Sequence, residues 1–356
     1  MSDKPRVVVG MSGGVDSSVT AALLVKEGYD VTGVMLRLWS EAGSEKFNRC
    51  CTPDSMAQAR RVAAGLGIPF YVADVKSQFR ERVVESFLKG YAENITPNPC
   101  LVCNKTIRWG FLLDYALSLG AEYFSTGHYA QVARGAGGLF ELRRGADSQK
   151  DQSYVLSVLS QEQLSHTLLP LGSFTKPAVR QMARDNGLEV AEKADSQDLC
   201  FLAGEDYRPF LQRYIPEVSQ PGPILDSQGK HLGEHQGLAF YTIGQRKGLG
   251  FSSSEPYFVI NKRLEENTLI VGVKGDLGRS ELYAGGATWI SGSAPVDAFQ
   301  ALVKIRYRAE DAPAKVTPLS DGRFRVNFEQ PKRDITAGQA VVIYQDELCL
   351  GGGIIE

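Results

Sequence analysis

Short apolar runs alternate with stretches of helical periodicity in the first part of the chain. The runs lack the polar alternation of a half-exposed sheet, so they predict strands buried on both faces, at 6–11, 29–36, 68–74 and 121–129. Between them, apolar residues recur every three or four positions and predict helices at about 16–27, 52–66, 77–92 and 104–118. This alternation predicts an α/β domain with a parallel, doubly wound sheet, which binds its ligands at the carboxyl ends of the strands.

The hydrophobic pattern changes in the second half of the chain. A hairpin is predicted at 131–145, and after about residue 205 short strands are joined by Gly and Ser turns, among them Asp321-Gly322. These features predict a small central domain and a C-terminal antiparallel β-barrel. We therefore expect three domains, at 1–205, 206–280 and 281–356.

Composition narrows the class of protein only a little. The 356 residues exceed the usual size of one hydrophobic core, and the net charge of −2 excludes a protein that is basic in bulk. No apolar run approaches membrane-spanning length and no signal-peptide pattern precedes the first strand, so a cytoplasmic location is expected, with no membrane partner. Six cysteines are sparse for this length, which favours metal ligands, reactive thiols or buried side chains over disulfides.

The sequence GMSGGVDSS follows the first predicted strand and leads into a helix. Its start fits the G-x-S-x-G nucleophile elbow, but only nine residues precede Gly10, too few for the oxyanion loop that such a site needs. A Walker A loop is excluded because the G-K-[ST] ending is absent. A glycine-rich phosphate loop remains, in which backbone N–H groups and a helix N-terminus face an anion. Asp16 would repel a bare phosphate, so we expect it to meet Mg²⁺ or a polarised partner.

Two cysteines lie close together in TPNPCLVCNKTIRWGF, and a third follows about a hundred residues later. We predict that Cys100 and Cys103 lie on a loop that enters a helix near Asn104, where the helix N-terminus and Lys105 would favour the reactive thiolate. The alternatives are that these cysteines form half of a zinc site or are simply buried side chains. The spacing alone does not distinguish a reactive thiol from these two alternatives. Cys200 is the later cysteine, and the role of Cys50-Cys51 stays open.

The glycine loop resembles the signature of the PP-loop ATP pyrophosphatases, which cleave ATP between its α- and β-phosphates and adenylate an oxygen of the substrate. Across almost the whole chain, co-ordered motifs resemble the bacterial tRNA-specific 2-thiouridylases. These motifs are GMSGGVDSS, PNPCLVCNKTIRWG, STGHYA, KDQSYVL, DSQDLCF, TIGQRKGLG, KIRYR and ITAGQAVVIY. The resemblance implies a first domain like the adenine nucleotide alpha hydrolases.

The resemblance also implies a reaction and a set of site residues. In this family sulfur replaces O2 of the wobble uridine of certain tRNAs, with ATP and a persulfide that an upstream cysteine desulfurase system supplies. Cys103 corresponds to the catalytic cysteine and Cys200 to the cysteine that carries the persulfide. The implied ATP contacts are Gly10, Met11, Ser12, Gly13, Gly14, Val15, Asp16, Ser17, Met35 and Gly127. The implied tRNA contacts are Asn98, Pro99, Cys100, His128, Lys150, Asp151, Gln152, Arg306, Tyr307 and Gln339.

One position departs from the family pattern, because many relatives have Asp where this chain has Cys100. Three soft thiolates, Cys100, Cys103 and Cys200, would suit an iron-sulfur cluster with one open iron; the other interpretation is persulfide chemistry without a cluster.

We expect a monomer. The rival classes are another PP-loop ligase, which would use ammonia as nucleophile, and a non-catalytic RNA-binding protein.

Local basic clusters, rather than bulk charge, would bind the tRNA backbone. Arg143, Arg144 and Lys150 form one cluster beside the predicted hairpin. In KIRYR, a strand through 304–308 would align Lys304, Arg306 and Arg308 on one face, as a track for phosphates.

Overall fold

The computed structural model describes residues 4–41, 43, 52–194 and 199–356, and Cys50 and Cys51 lie outside these ranges. Its strands are β1 (Arg6–Gly10), β2 (Asp30–Arg37), β3 (Phe70–Asp74), β4 (Tyr123–Ser125), β5 (Ala130–Arg134), β6 (Phe140–Arg144), β7 (Thr167–Leu168), β8 (Gly222–Asp226), β9 (His231–His235), β10 (Phe258–Arg263), β11 (Thr268–Gly272), β12 (Arg279–Trp289), β13 (Phe299–Lys304), β14 (Ala312–Pro318), β15 (Phe324–Lys332), β16 (Ala340–Gln345) and β17 (Leu348–Ile355).

The helices are α1 (Val15–Lys26), α2 (Pro53–Leu66), α3 (Lys76–Phe79), α4 (Glu85–Ala92), α5 (Pro99–Cys103), α6 (Leu113–Ser118), α7 (Ser153–Leu156), α8 (Gln161–Ser165), α9 (Lys176–Asp185) and α10 (Tyr207–Tyr214). Two π-helical segments make longer continuous helices: Arg80–Val84 joins α3 to α4, and Asn104–Leu112 joins α5 to α6. Within the described ranges, no helix is long and apolar enough to cross a membrane.

The first sheet is parallel and has the order β3-β2-β1-β4-β7, which confirms the predicted doubly wound architecture. Successive residues of β1 pack on opposite faces: Val7 and Val9 join α1, α2 and α9 in one core cluster, whereas Val8 packs with Trp109 in another. The chain runs outward from β1 in both directions, so the topological switch point lies between β1 and β4. A ligand crevice is therefore expected beyond the carboxyl ends of these two strands.

A four-stranded sheet of order β10-β11-β8-β9 forms the central region. Several of its buried residues share one core cluster with the first domain, since Ile224 and Val259 pack in the same cluster as Phe87, Phe201 and Phe210. The central region is thus fixed to the elements that carry the cysteines.

The C-terminal sheet has the order β12-β15-β14-β13-β16-β17-β6-β5, and the pairing of β12 with β17 closes six of these strands into the predicted antiparallel barrel. The Asp321-Gly322 turn lies between β14 and β15, with Gly322 at φ +81°. The predicted hairpin is present as β5 and β6, and it extends the sheet of the barrel because β6 pairs with β17.

Two predictions about local structure are wrong. The helix that carries the cysteines begins at Pro99 and not near Asn104, because the Asn98 side chain caps it and Pro99 suits its first turn. The strand in KIRYR ends at Lys304, and the chain then turns, with the Ala309 N–H donating to the Arg306 carbonyl. The three cations of KIRYR therefore do not line one strand face.

Candidate active site

The glycine loop joins β1 to α1 at the switch point of the parallel sheet. Gly14 takes the N-cap position of α1 in an extended conformation, so no side chain caps the helix and the first-turn amides face the crevice. Two hydroxyls hold the loop from within: the Ser12 N–H donates to Ser17 Oγ at 3.1 Å, and Ser18 Oγ donates to the Gly14 carbonyl at 2.8 Å. This preformed turn presents backbone donors to an anion.

Two glycines permit the close packing around the loop. Gly13 has φ +72°, and a Cβ atom there would collide with the Ser55 carbonyl at the start of α2. Gly127 follows β4, and a Cβ atom there would lie 2.8 Å from the Asp16 carbonyl carbon and 2.9 Å from the Ser17 nitrogen. The N-termini of α1 and α2 and the end of β4 therefore converge on one small region.

Asp16 has a polarised partner, which was one of the two alternatives expected for it. Lys176 Nζ donates to both carboxylate oxygens at 2.7 and 2.9 Å, and the Tyr129 hydroxyl donates to one of them at 2.7 Å. Lys176 is buried, and its contact spans 160 positions of sequence. The negative charge that would repel phosphate is thus neutralised. Sequence reasoning missed Lys176, since no local motif marks it.

A second lysine, which no local sequence pattern marks, also contacts the loop. Lys193 Nζ donates to the Gly13 carbonyl at 2.9 Å and to Ser55 Oγ at 3.4 Å. Burial lowers the pKa of Lys193, an effect that the nearby Asp54 carboxylate offsets in part. Both lysines come from the region after β7, at 176 and 193.

Three predicted ATP contacts have buried side chains: Met11, Val15 and Met35 all pack in the core cluster between the sheet and α1. A nucleotide would therefore reach these residues through their backbone. The last pair of β1 and β2 joins Gly10 to Val34, so Met35 lies just beyond the end of β1, beside the crevice. These contacts remain predictions.

The cysteine helix starts with Asn98, whose side-chain oxygen accepts the Cys100 N–H at 3.2 Å. Cys100 is exposed, and Pro99 is buried. Cys103 and Cys200 are partly buried, and both pack against the core cluster that contains Phe87 and Phe201. Together with the buried Cys349, these cysteines are thiols in the described part of the chain.

Among the residues with described positions, no group of three His, Cys, Asp or Glu side chains is placed to hold a metal ion. Cys100, Cys103 and Cys200 therefore do not fit an iron-sulfur cluster in this arrangement.

His128, a predicted tRNA contact, is buried and bonded on both ring nitrogens. Arg108 donates to Nε2 at 2.9 Å, and Nδ1 lies 2.7 Å from Thr126 Oγ1. Burial and, to a lesser extent, the Arg108 charge hold the pKa of His128 well below its ordinary value. Arginine has no acceptor, so we assign the neutral tautomer with a proton on Nδ1.

Three more predicted tRNA contacts make internal hydrogen bonds. The Asp151 carboxylate accepts the backbone N–H groups of Gly145 and Ser153, each at 3.0 Å. Gln152 Oε1 accepts the Tyr129 N–H at 2.9 Å, and Gln339 Nε2 donates to the Thr96 carbonyl at 2.9 Å. These side chains shape the surface around the cysteine helix, and their contact with tRNA remains a prediction.

The remaining predicted tRNA contacts lie partly or fully exposed. Lys150 is half-buried, and the exposed Arg306 pairs with Asp334. Tyr307 is half-buried, and its ring centroid lies 6.2 Å from that of Tyr154. Burial raises the pKa of Tyr307, and the charge of Asp151 acts in the same direction.

A glycine loop at the switch point of a parallel sheet, with two lysines around it, defines a nucleotide-binding α/β domain. Residues 5–204, over half of the chain, match the family model described as tRNA methyl transferase HUP domain. The following ranges, 208–273 and 279–355, match the tRNA methyl transferase PRC-barrel domain and the aminomethyltransferase beta-barrel domain.

Curated relatives match the chain from end to end. The protein named tRNA-specific 2-thiouridylase MnmA from Moorella thermoacetica is 49% identical over 353 residues, which is 98% of this chain and 99% of the relative. Proteins of the same name from Chloroflexus aurantiacus and Herpetosiphon aurantiacus are 44% and 45% identical over 351 residues, 98% of each chain. The chain belongs to the tRNA-specific 2-thiouridylase family.

Proposed function

We propose that the chain is an ATP-dependent tRNA-uridine 2-sulfurtransferase, which replaces O2 of a wobble uridine with sulfur and releases AMP and pyrophosphate. The observation that carries this proposal is the similarity over 98% of the chain to relatives named for this modification, at 44–49% identity. The division of the chain at 1–205, 206–280 and 281–356 is part of the proposal, with the barrel as a tRNA-binding domain.

The first step activates the base. The uracil C2 carbonyl is a poor electrophile and its oxygen is a poor leaving group, so O2 attacks the α-phosphorus of ATP and pyrophosphate departs. Backbone donors of residues 10–17 bind the phosphates, with Met35 and Gly127 beside the nucleotide. Because Lys176 and Tyr129 already occupy the Asp16 carboxylate, we propose that Mg²⁺ arrives bound to the ATP phosphates.

The second step transfers sulfur. The terminal sulfur of a Cys200 persulfide attacks C2, and AMP leaves with the former O2. The adduct C2–S–S–Cys200 remains, and Cys103 then has one of two roles. It protonates a developing charge while an external thiol cleaves the S–S bond of the adduct, or its own thiolate attacks Cys200 Sγ. The second role breaks the persulfide S–S bond, forms a Cys103–Cys200 disulfide and requires a dithiol reductant to restore both thiols. The packing of both cysteines against one core cluster supports this pairing.

The tRNA and the sulfur donor are the implied partners. We propose that Asn98, Pro99 and Cys100 meet the target base, while Lys150 and Arg306 bind backbone phosphates. The donor is a protein that carries a persulfide, generated by a cysteine desulfurase. The protein acts as a monomer in the cytoplasm, where ATP and tRNA are available.

Thionucleoside analysis of tRNA incubated with the protein, ATP and a persulfide donor tests this function. We expect 2-thiouridine together with AMP and pyrophosphate, and we expect Cys103→Ser and Cys200→Ala to lower thiolation at least ~100-fold. Cys349→Ala is the control, because this thiol is buried and burial raises its pKa to about 12. AMP formation with ammonia incorporated in place of sulfur would instead indicate another PP-loop ligase.

A further inference from the structure

Lys193 brings a positive charge to the glycine loop, and within the described ranges its ammonium group is hydrogen-bonded to no carboxylate, although the Asp54 carboxylate lies nearby. Its ammonium group donates to the Gly13 carbonyl and to Ser55 Oγ, and both acceptors are uncharged. The other lysine at the loop differs, because both oxygens of Asp16 neutralise Lys176. The positive charge of Lys193, unlike that of Lys176, is therefore available to interact with an anion bound in the loop.

The backbone that carries Lys193 is fixed in place. One nitrogen of the Arg180 guanidinium donates to the carbonyls of Ala191 and Lys193, at 2.7 and 3.0 Å, and the Lys193 N–H donates to the Val190 carbonyl at 2.9 Å. Arg180 belongs to α9, the helix that also supplies Lys176. One helix thus positions two ammonium groups around the same loop.

The contacts of Lys193 place it between two helix N-termini. Gly13 immediately precedes the N-cap of α1, and Ser55 lies in the first turn of α2, where its own N–H is capped by Thr52 Oγ1. Both helices direct their positive dipole ends toward this point. An ammonium group and two such ends all contribute positive potential on the Gly13 side of the loop, which the Asp54 carboxylate in the first turn of α2 offsets in part.

We propose that Lys193 binds the β- and γ-phosphates of ATP and stabilises the pyrophosphate that leaves. When the bond between the α- and β-phosphates breaks, negative charge develops on the bridging oxygen and the departing pyrophosphate, whereas the adenylate keeps a single charge. The ammonium group exchanges its neutral acceptors for phosphate oxygens, which form stronger, charge-assisted hydrogen bonds. This inference rests on the proposed function, since it assigns a role within the same nucleotide site.

Nucleotide-binding measurements on Lys193 variants test the assignment. We expect Lys193→Ala and Lys193→Met to weaken the binding of ATP and of pyrophosphate by about 10- to 100-fold, the effect of losing a hydrogen bond to a charged group. AMP affinity should change less than about twofold, because AMP lacks the β- and γ-phosphates. Lys193→Arg should recover part of the loss, and Lys193→Met preserves the aliphatic chain and hence the packing.

Lys26→Ala is the matched control, because Lys26 is an exposed lysine at the far end of α1. Unchanged pyrophosphate affinity in Lys193→Ala and Lys193→Met would overturn the inference. An equal loss of AMP affinity would also overturn it, because it would mean that Lys193 only holds the loop in shape. Absence of thiolation by the wild-type protein would instead refute the proposed function, independently of the binding data.

Discussion

At the scale of single residues, His128 is held in one protonation state. The positive guanidinium of Arg108 donates to Nε2, while Nδ1 is bonded to Thr126 Oγ1. Arg108 also donates to Asn104 Oδ1, at 3.2 Å, so the network runs from the helix that carries Cys103 to the strand end that carries Gly127. His128 is therefore a link between the two halves of the site, and as a buried neutral ring it is poorly suited to proton transfer.

The lowered pKa of His128 predicts a dependence of stability on pH. In the unfolded chain a histidine takes up a proton near its ordinary pKa of 6.5, whereas the folded state resists protonation. The free energy of unfolding should therefore have its highest value above about pH 6.5 and fall as the pH decreases toward 5. The slope is up to ~1.4 kcal/mol per pH unit for each proton that the unfolded chain binds and the folded state does not. Burial also lowers the pKa of His235, which adds to the slope with the same sign.

Urea unfolding between pH 5 and 7.5 measures this slope. We expect His128→Gln to remove the part of the slope that His128 contributes, since glutamine keeps an acceptor for Arg108 and takes up no proton. His231→Gln, at an exposed position, controls for the loss of a histidine elsewhere. A His128→Gln variant as sensitive to acid as the wild type would contradict the assignment.

At the scale of elements, periodicity predicted the parallel sheet because the central strand β1 is buried on both faces, whereas the edge strand β3 leaves Tyr71 exposed. The predicted start of the cysteine helix is wrong because a proline is compatible both with a loop and with the first turn of a helix, and Pro99 in TPNPC occupies the first turn. Lys193 could not be found from the sequence, because its bond to Gly13 spans 180 positions. Local patterns thus predict the loop and the cysteines as site residues, but they do not reveal the residues that the fold brings to them.

The corrected helix start gives Asn98 a structural role that can be tested. Asn98→Ala removes the acceptor for the Cys100 N–H and should lower the free energy of unfolding by about 1 kcal/mol, which corresponds to roughly fivefold faster amide hydrogen exchange in 99–103. Asn98→Asp should restore protection, because aspartate is an equally good cap.

Ser160→Ala, which removes the cap of α8, controls for a general loss of stability. Exchange in 99–103 that responds equally to Ser160→Ala and Asn98→Ala would contradict a local role for Asn98.

At the scale of the whole molecule, the barrel and the first domain are joined through main-chain and side-chain contacts. Strand β6 pairs with β17, and the Thr96 N–H, just before the cysteine helix, donates to the Ala337 carbonyl at 2.9 Å. The Tyr154 hydroxyl donates to the Ala340 carbonyl at 2.8 Å. These contacts fix the barrel to the segment that precedes the cysteine helix and to α7.

Arg144 is central to this junction, although the sequence had suggested a tRNA-binding cation. Its guanidinium carbon lies 3.7 Å from the centroid of the Tyr344 ring, and the group pairs with Asp311 at 3.0 Å, with only 12% of the side chain exposed. Arg144→Ala removes a desolvated cation–π contact and leaves Asp311 without its partner, so the free energy of unfolding should fall by about 2 kcal/mol. Calorimetry should show the barrel and the first domain unfolding at more widely separated temperatures.

Arg143→Ala is the matched control on the same strand, because Arg143 is exposed and pairs with Glu141 within the hairpin. An exposed pair contributes at most about 1 kcal/mol, so this variant should resemble the wild type. Arg144→Lys should stay close to Arg144→Ala, since lysine keeps the charge but not the planar group that stacks on Tyr344. Equal stability of the Arg143→Ala and Arg144→Ala variants would mean that the main-chain pairing of β6 with β17 alone joins the barrel to the nucleotide-binding domain.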